Sequence, residues 1–144
     1  MNASTDRLLR RTLWANAGLS IASGLVLAVF AGPLARLAAT APVSLLGLDL
    51  PILFALLGIG FVAFGVVCGW VASREVLPLA WGRAIFLLDA SWVAISAVLL
   101  ALPGVWSTAG IVGIAGMALV VADLAILEYL GLRRIAGTDL RPAH

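Results

Sequence analysis

The chain has 144 residues, 63% of them hydrophobic and 11% charged, with a formal net charge of +2 and a mean hydropathy of +1.15. Soluble domains carry roughly 25% charged residues, so a water-soluble fold of this size could not hide so much apolar surface. A bilayer can, because lipid solvates the apolar faces while helices satisfy their own backbone polar groups. The whole chain, 1–144, reads as one all-α membrane domain.

The remaining composition narrows the chemistry. All nine basic residues are arginine, a bias typical of bacteria with GC-rich genomes, and they flank apolar segments instead of forming a nucleic-acid patch. Cys68 is the only cysteine and His144, the last residue, the only histidine. An intramolecular disulfide is excluded, multi-cysteine metal sites are excluded, and neither a haem ligand nor a histidine-centred catalytic site is expected. No cofactor is expected.

Taken in chain order, apolar stretches cover about 12–31, 51–73, 84–102 and 109–132, each near the roughly 20 residues a spanning helix needs. Gly32-Pro33 ends the first, Pro51 opens the second, Pro103-Gly104 closes the third, and Ser107-Thr108 can cap the fourth. The connection from Gly32 to Leu50 has room for a short interfacial helix starting at Pro33 with Leu34 to Ala39 as its body. The other two connections are short, so the helices they join are expected to be antiparallel neighbours in a four-helix bundle. The first span is read as retained. Its apolar run exceeds the roughly 7–15 residues of a cleaved signal, and the small-x-small Ala39-Thr40-Ala41 lies well beyond its end, ahead of Pro42.

Arginine placement sets the expected orientation. Arg7, Arg10, Arg11, Arg74, Arg83, Arg133, Arg134 and Arg141 fall on one side, and only Arg36 on the other. The positive-inside rule then puts both termini in the cytoplasm. Trp14, Trp70, Trp81 and Tyr129 sit near that interface and Trp106 near the opposite one, whereas Trp92 lies well inside the third span.

Polar residues within the spans are the candidate site. Thr12, Asn16, Ser20 and Ser23 share a face of the first helix, and Asp89, Trp92 and Ser96 share one of the third. In the fourth, Gly116, Val120 and Asp123 share a face while Glu128 points elsewhere. From a rise of roughly 1.5 Å per residue, Asn16 and Glu128 lie about 6 Å inside, Asp89 about 8 Å and Asp123 about 14 Å. An ionised Asp at the bilayer centre costs about 2.5–3.5 kcal/mol, which argues for carboxyls that face the bundle interior. The expected intramembrane polar site is therefore Asn16, Asp89, Trp92, Ser96 and Asp123. Glu128 is read as an interfacial ion pair with Arg133 or Arg83. Gly58, Gly65, Gly69 and Ala72 form a smooth side of the second helix, and these glycines together with Gly116 are read as packing devices.

The first and third spans also align without gaps. Asn16-Ala17-Gly18 and Asp89-Ala90-Ser91 are followed at matching offsets by Ser23-Gly24-Leu25 and Ser96-Ala97-Val98, and Arg10 matches Arg83. Either two like-oriented hairpins are related by a pseudo-twofold along the membrane normal, or two Ala/Leu-rich helices coincide by chance. In the first case Asn16 and Asp89 occupy equivalent places and can face each other.

No nucleophile-and-base pair and no phosphate-binding glycine loop is present, so enzyme is the least favoured class. Arg10-Arg11 ahead of Asn16, Trp92-x-x-x-Ser96 and Leu130-Gly131-Leu132-Arg133-Arg134 together resemble an uncharacterised family of small four-helix bacterial inner-membrane proteins. The resemblance implies a multi-pass protein of that membrane and no particular activity. The expected role is a non-enzymatic accessory or self-associating component, partnered by lipid and by a second copy or another membrane protein. The alternatives are a small transporter or proton-conducting unit using Asp89 and Asp123, and a binder of lipid or a hydrophobic small molecule near Trp92.

Overall fold

The computed structural model describes residues 6–139; Arg141 and His144 lie outside the described residues. Helix α1 (Arg7–Val29) runs almost directly into α2 (Ala31–Ala38), and a two-residue antiparallel hairpin, β1 (Ser44–Leu45) and β2 (Leu48–Asp49), leads into α3 (Leu50–Ser73). Helices α4 (Leu79–Leu100) and α5 (Thr108–Asp139) complete the described chain. Four helices, α1, α3, α4 and the Thr108–Ala136 part of α5, are long and apolar enough to cross a membrane. They pack together, and the protein is a four-span integral membrane protein.

Local chemistry explains where the helices stop. Phe30 bends the chain between α1 and α2, and Pro33 falls in the first turn of α2, where a helix does not need the missing N–H. Pro51 occupies the equivalent place in α3. The Ser107 hydroxyl accepts a bond from the Gly110 N–H at 3.1 Å, an N-cap of α5 as its sequence suggests. The spans begin earlier than hydropathy alone suggests, at Arg7 instead of 12 and at Leu79 instead of 84. Hydropathy marks the lipid-embedded part, whereas the backbone bonds of a helix continue through interfacial turns whose arginines reach water.

The hairpin was not expected from the sequence. Its turn, Leu46-Gly47, has both φ angles positive, 55° and 77°, the signature of a type I′ connection. Ser44 Oγ donates to Asp49 Oδ1 at 2.6 Å across it.

Packing is uneven, and the unevenness positions the site. Helix α1 lies closest to α3, and α4 pairs with α5; α1 also meets α5, while α3 and α4 touch only sparsely. The α1–α3 approach is made by glycine. A Cβ on Gly58 would stand 2.5 Å from the Ala28 nitrogen and 2.6 Å from the Gly24 oxygen, and one on Gly65 would stand 2.7 Å from Ile21 Cγ1. The smooth face of the second span is thus occupied by the first. Gly69 makes only ordinary contact, with Trp14 at 3.5 Å, and Gly116 borders open space, so Gly116 is not a packing device within the described chain. Its face of α5 turns outward.

Two packed regions flank the middle of the bundle. At the arginine-rich end, Leu9, Leu13, Ala17, Cys68, Val71, Ile85 and Ile135 form a core. There the Arg10 guanidinium donates to the carbonyls of Ala72, Arg74 and Glu75 at the end of α3 and pairs with Asp6 at 3.1 Å. At the other end Ala35, Leu50 and Trp106 pack together. Trp106 Nε1 donates to the Leu99 carbonyl at 2.6 Å, and the Ser107 N–H donates to the Ala38 carbonyl at 2.8 Å.

Candidate functional site

Between those two regions α1, α4 and α5 bring three polar side chains together. Asn16 Nδ2 donates to Asp89 Oδ2 at 2.5 Å and to Glu128 Oε1 at 3.0 Å, while Asn16 Oδ1 accepts from Ser20 Oγ at 3.1 Å. An amide nitrogen carries two N–H groups and its oxygen two lone pairs, so both donors of Asn16 are used. Asn16 is 1% exposed, Asp89 5% and Glu128 0%, so the cluster is shielded from lipid. Asn16 and Asp89, at matching places in the two aligned spans, do face each other.

Glu128 differs from its sequence reading, and so does Asp123. Glu128 is not an interfacial ion pair; it is the third member of the cluster. Asp123 is exposed on the outer side of α5 and stands apart from it. The two are five residues apart, about 140° around a helix, so only one can face α1. Depth suggested Asp123, but helix facing decides. The buried positions of α5, Val121, Leu124, Ala125, Glu128 and Ile135, recur at three, one, three and seven residues. Gly131 supports the same face, since a Cβ there would press within 2.9 Å of Leu9 Cβ. That glycine, three residues after Glu128, is the signal in the sequence that marks the inward side.

Beside the cluster lies a chamber of about 530 Å³ between α1, α3 and α4, with Met117 and Val121 of α5 at its back. Its wall is mostly Leu, Ile, Val and Phe, broken by Asn16, Ser20, Ser23, Asp89, Ser91 and Trp92. Leu56 and Leu57 on α3 and Leu88 and Ile95 on α4 line it and are exposed. It therefore opens sideways, toward lipid, where α3 and α4 stand apart. The short connection between these helices does not make them close neighbours as expected. Their main bridge at this depth is aromatic: Phe61 and Trp92 meet edge to face with centroids 4.9 Å apart.

Several polar atoms here are enclosed without a partner among the described residues: Trp92 Nε1, Ser96 Oγ and Glu128 Oε2. Ser96 is fully buried and does not line the chamber, whereas Trp92 does. Among the described residues no group of three His, Cys, Asp or Glu side chains is arranged to hold a metal. What the arrangement can do is accept hydrogen bonds and positive charge at the carboxyls, and donate one bond from Trp92. No known protein family, curated protein or solved structure matches the chain.

Proposed function

We propose that the protein is a non-enzymatic binder of an amphiphilic small molecule, taken from the bilayer into the chamber between α1, α3 and α4. The observation that carries this reading is an apolar chamber broken at one place by Asn16, Asp89 and Ser20. Its volume falls within the roughly 300–1,000 Å³ of ligand pockets. Lipid tails are as apolar as leucine, so the apolar wall alone would select nothing from a membrane. Preference comes from the polar groups, which a head group can satisfy and an alkyl tail cannot.

Gly60 allows a clean test. It lines the chamber, and a Cβ there meets nothing within 4 Å, so Gly60→Phe fills space without displacing backbone. Native mass spectrometry of the protein released from nanodiscs should show a bound amphiphile on the wild type and none on Gly60→Phe. Equal occupancy of both would overturn the reading.

A second reading, self-association, is favoured by a separate observation. Gly113, Gly116, Val120 and Asp123 are all exposed on α5 at three- and four-residue spacing, which is the seam of a helix pair. A carboxyl at mid-span facing lipid is costly, and a second copy would cover it. Cys68 is buried, so a Val120→Cys variant reports directly: copper-catalysed disulfide cross-linking of the chain to itself is expected. No cross-link at Val120 in native membranes would remove this reading.

We also place both termini in the cytoplasm of a bacterial inner membrane. The support is the charge asymmetry: Arg7, Arg10, Arg11, Arg74, Arg83, Arg133 and Arg134 against Arg36. Impermeant thiol labelling of Leu46→Cys but not Glu75→Cys from outside intact cells is the expected result, and the reverse pattern would invert the orientation.

A further inference from the structure

We infer that the ligand of this chamber carries a positively charged head group, which takes its place at Asp89 in exchange for a proton. The inference rests on the amphiphile reading above and names the chemical class of the ligand.

The argument is one of charge balance. Two carboxyls, Asp89 and Glu128, meet on a single amide nitrogen within 3.0 Å. The groups around them carry no positive charge: Asn16 and Ser20 from α1 and Cys68 from α3. No Arg, Lys or His lies within the spans at this depth; the arginines stand at the helix ends. Asn16 supplies two hydrogen bonds and no charge. Removing a carboxylate from water without a countercharge is expensive, so the pair constitutes a receptor for one positive particle. In the empty protein that particle is a proton, shared between the carboxyls. With the chamber filled it is the head group.

Geometry adds two features specific to a cation. Asp89 is 95% buried by complement of its 5% exposure and lines the chamber, so a head group reaches it without leaving the bundle. Phe61, Phe64 and Trp92 line the same space, and aromatic faces attract organic cations, most strongly when desolvated. Glu128 Oε2, enclosed and unpartnered, leaves an acceptor for the proton that the pair holds while the chamber is empty. Charge balances: the cation enters, one proton leaves to water, and the site keeps its net charge.

The test compares decyltrimethylammonium with its neutral length-matched alcohol, 1-decanol, on the full chain in zwitterionic nanodiscs, after subtracting partition into empty nanodiscs. The cation is expected to bind at least about tenfold more tightly than the alcohol, a difference of about 1.4 kcal/mol. Its affinity should rise with pH, by at most about tenfold per pH unit for one competing proton, while that of the alcohol stays flat. In weak buffer, binding of the cation should release up to one proton per chain. In Asp89→Asn the cation's advantage and the proton release should both vanish, while 1-decanol still binds. Glu128→Gln is the second variant, expected to keep cation binding but flatten its pH dependence. If alcohol and ammonium bind the wild type equally at every pH, the charged-ligand inference fails and the amphiphile reading stands. If neither binds, both fail.

Discussion

Replacing Gly58 by alanine tests whether α1 and α3 are held at backbone contact. The added Cβ would stand 2.5 Å from the Ala28 nitrogen, 2.6 Å from the Gly24 oxygen and 2.8 Å from Ala28 Cβ, where ordinary contact begins at 3.4 Å. Two of those three atoms are backbone and cannot swing aside. The helices must separate by about 1 Å along this stretch, and a gap of that size forfeits a quarter to a half of each dispersion contact it opens. Overpacking of this kind costs roughly 1–3 kcal/mol. A matched control exists in Gly18 on α1, where a Cβ meets nothing within 4 Å. Gly18→Ala should be neutral or better, because alanine outranks glycine in a helix by about 1 kcal/mol. Reversible unfolding in mixed micelles, followed by circular dichroism with increasing dodecyl sulfate, measures both. The Gly58→Ala midpoint should fall and the Gly18→Ala midpoint hold or rise. Equal midpoints for the two variants would refute close backbone packing between α1 and α3.

Three further outcomes follow from individual contacts. Arg10→Ala removes the donor to the Ala72, Arg74 and Glu75 carbonyls and should cost about 1 kcal/mol, allowing for partial exposure; hydrogen exchange should accelerate selectively at the end of α3. Glu128→Ala should destabilise by about 2 kcal/mol or more, since it leaves a cavity and strips Asn16 of an acceptor, whereas Asp123→Leu should leave ligand binding intact and not lower the unfolding midpoint, because it removes a carboxyl from a lipid-facing position. The opposite ranking would return Asp123 to the site. Leu46, 98% exposed with φ of 55°, occupies a conformation that asparagine tolerates better. Leu46→Asn should therefore stabilise by about 0.5–1 kcal/mol in the same unfolding assay.

The four spans were legible in the sequence because length and hydropathy are one-dimensional quantities. The Asn16–Asp89 meeting was legible too, through the offset match of the first and third spans. Glu128 was not. Its depth placed it near the interface, and only the face shared with Gly131 and Ile135 turns it inward. Asp123 failed for the complementary reason, since the membrane penalty ranks residues by depth and carries no information on azimuth. The gap between α3 and α4 could not be read at all. A short loop at residues 74–78 constrains only where two helices meet and not how far they diverge beyond it. The hairpin at 44–49 is not legible in the sequence, because a type I′ turn with leucine in its first position lacks the usual Asn-Gly or Asp-Gly signal.

The central claim, that the chamber beside Asn16 and Asp89 receives an amphiphile from the membrane, is tested most directly at Trp92. A ten-carbon amphiphile bearing bromine on its tail, offered as alcohol or ammonium in nanodiscs, should quench tryptophan fluorescence. The Trp92 share is isolated by difference from Trp92→Phe. The account predicts that this share saturates with probe concentration and disappears in Gly60→Phe. Quenching that only tracks partition into the bilayer, unchanged by Gly60→Phe, would contradict it.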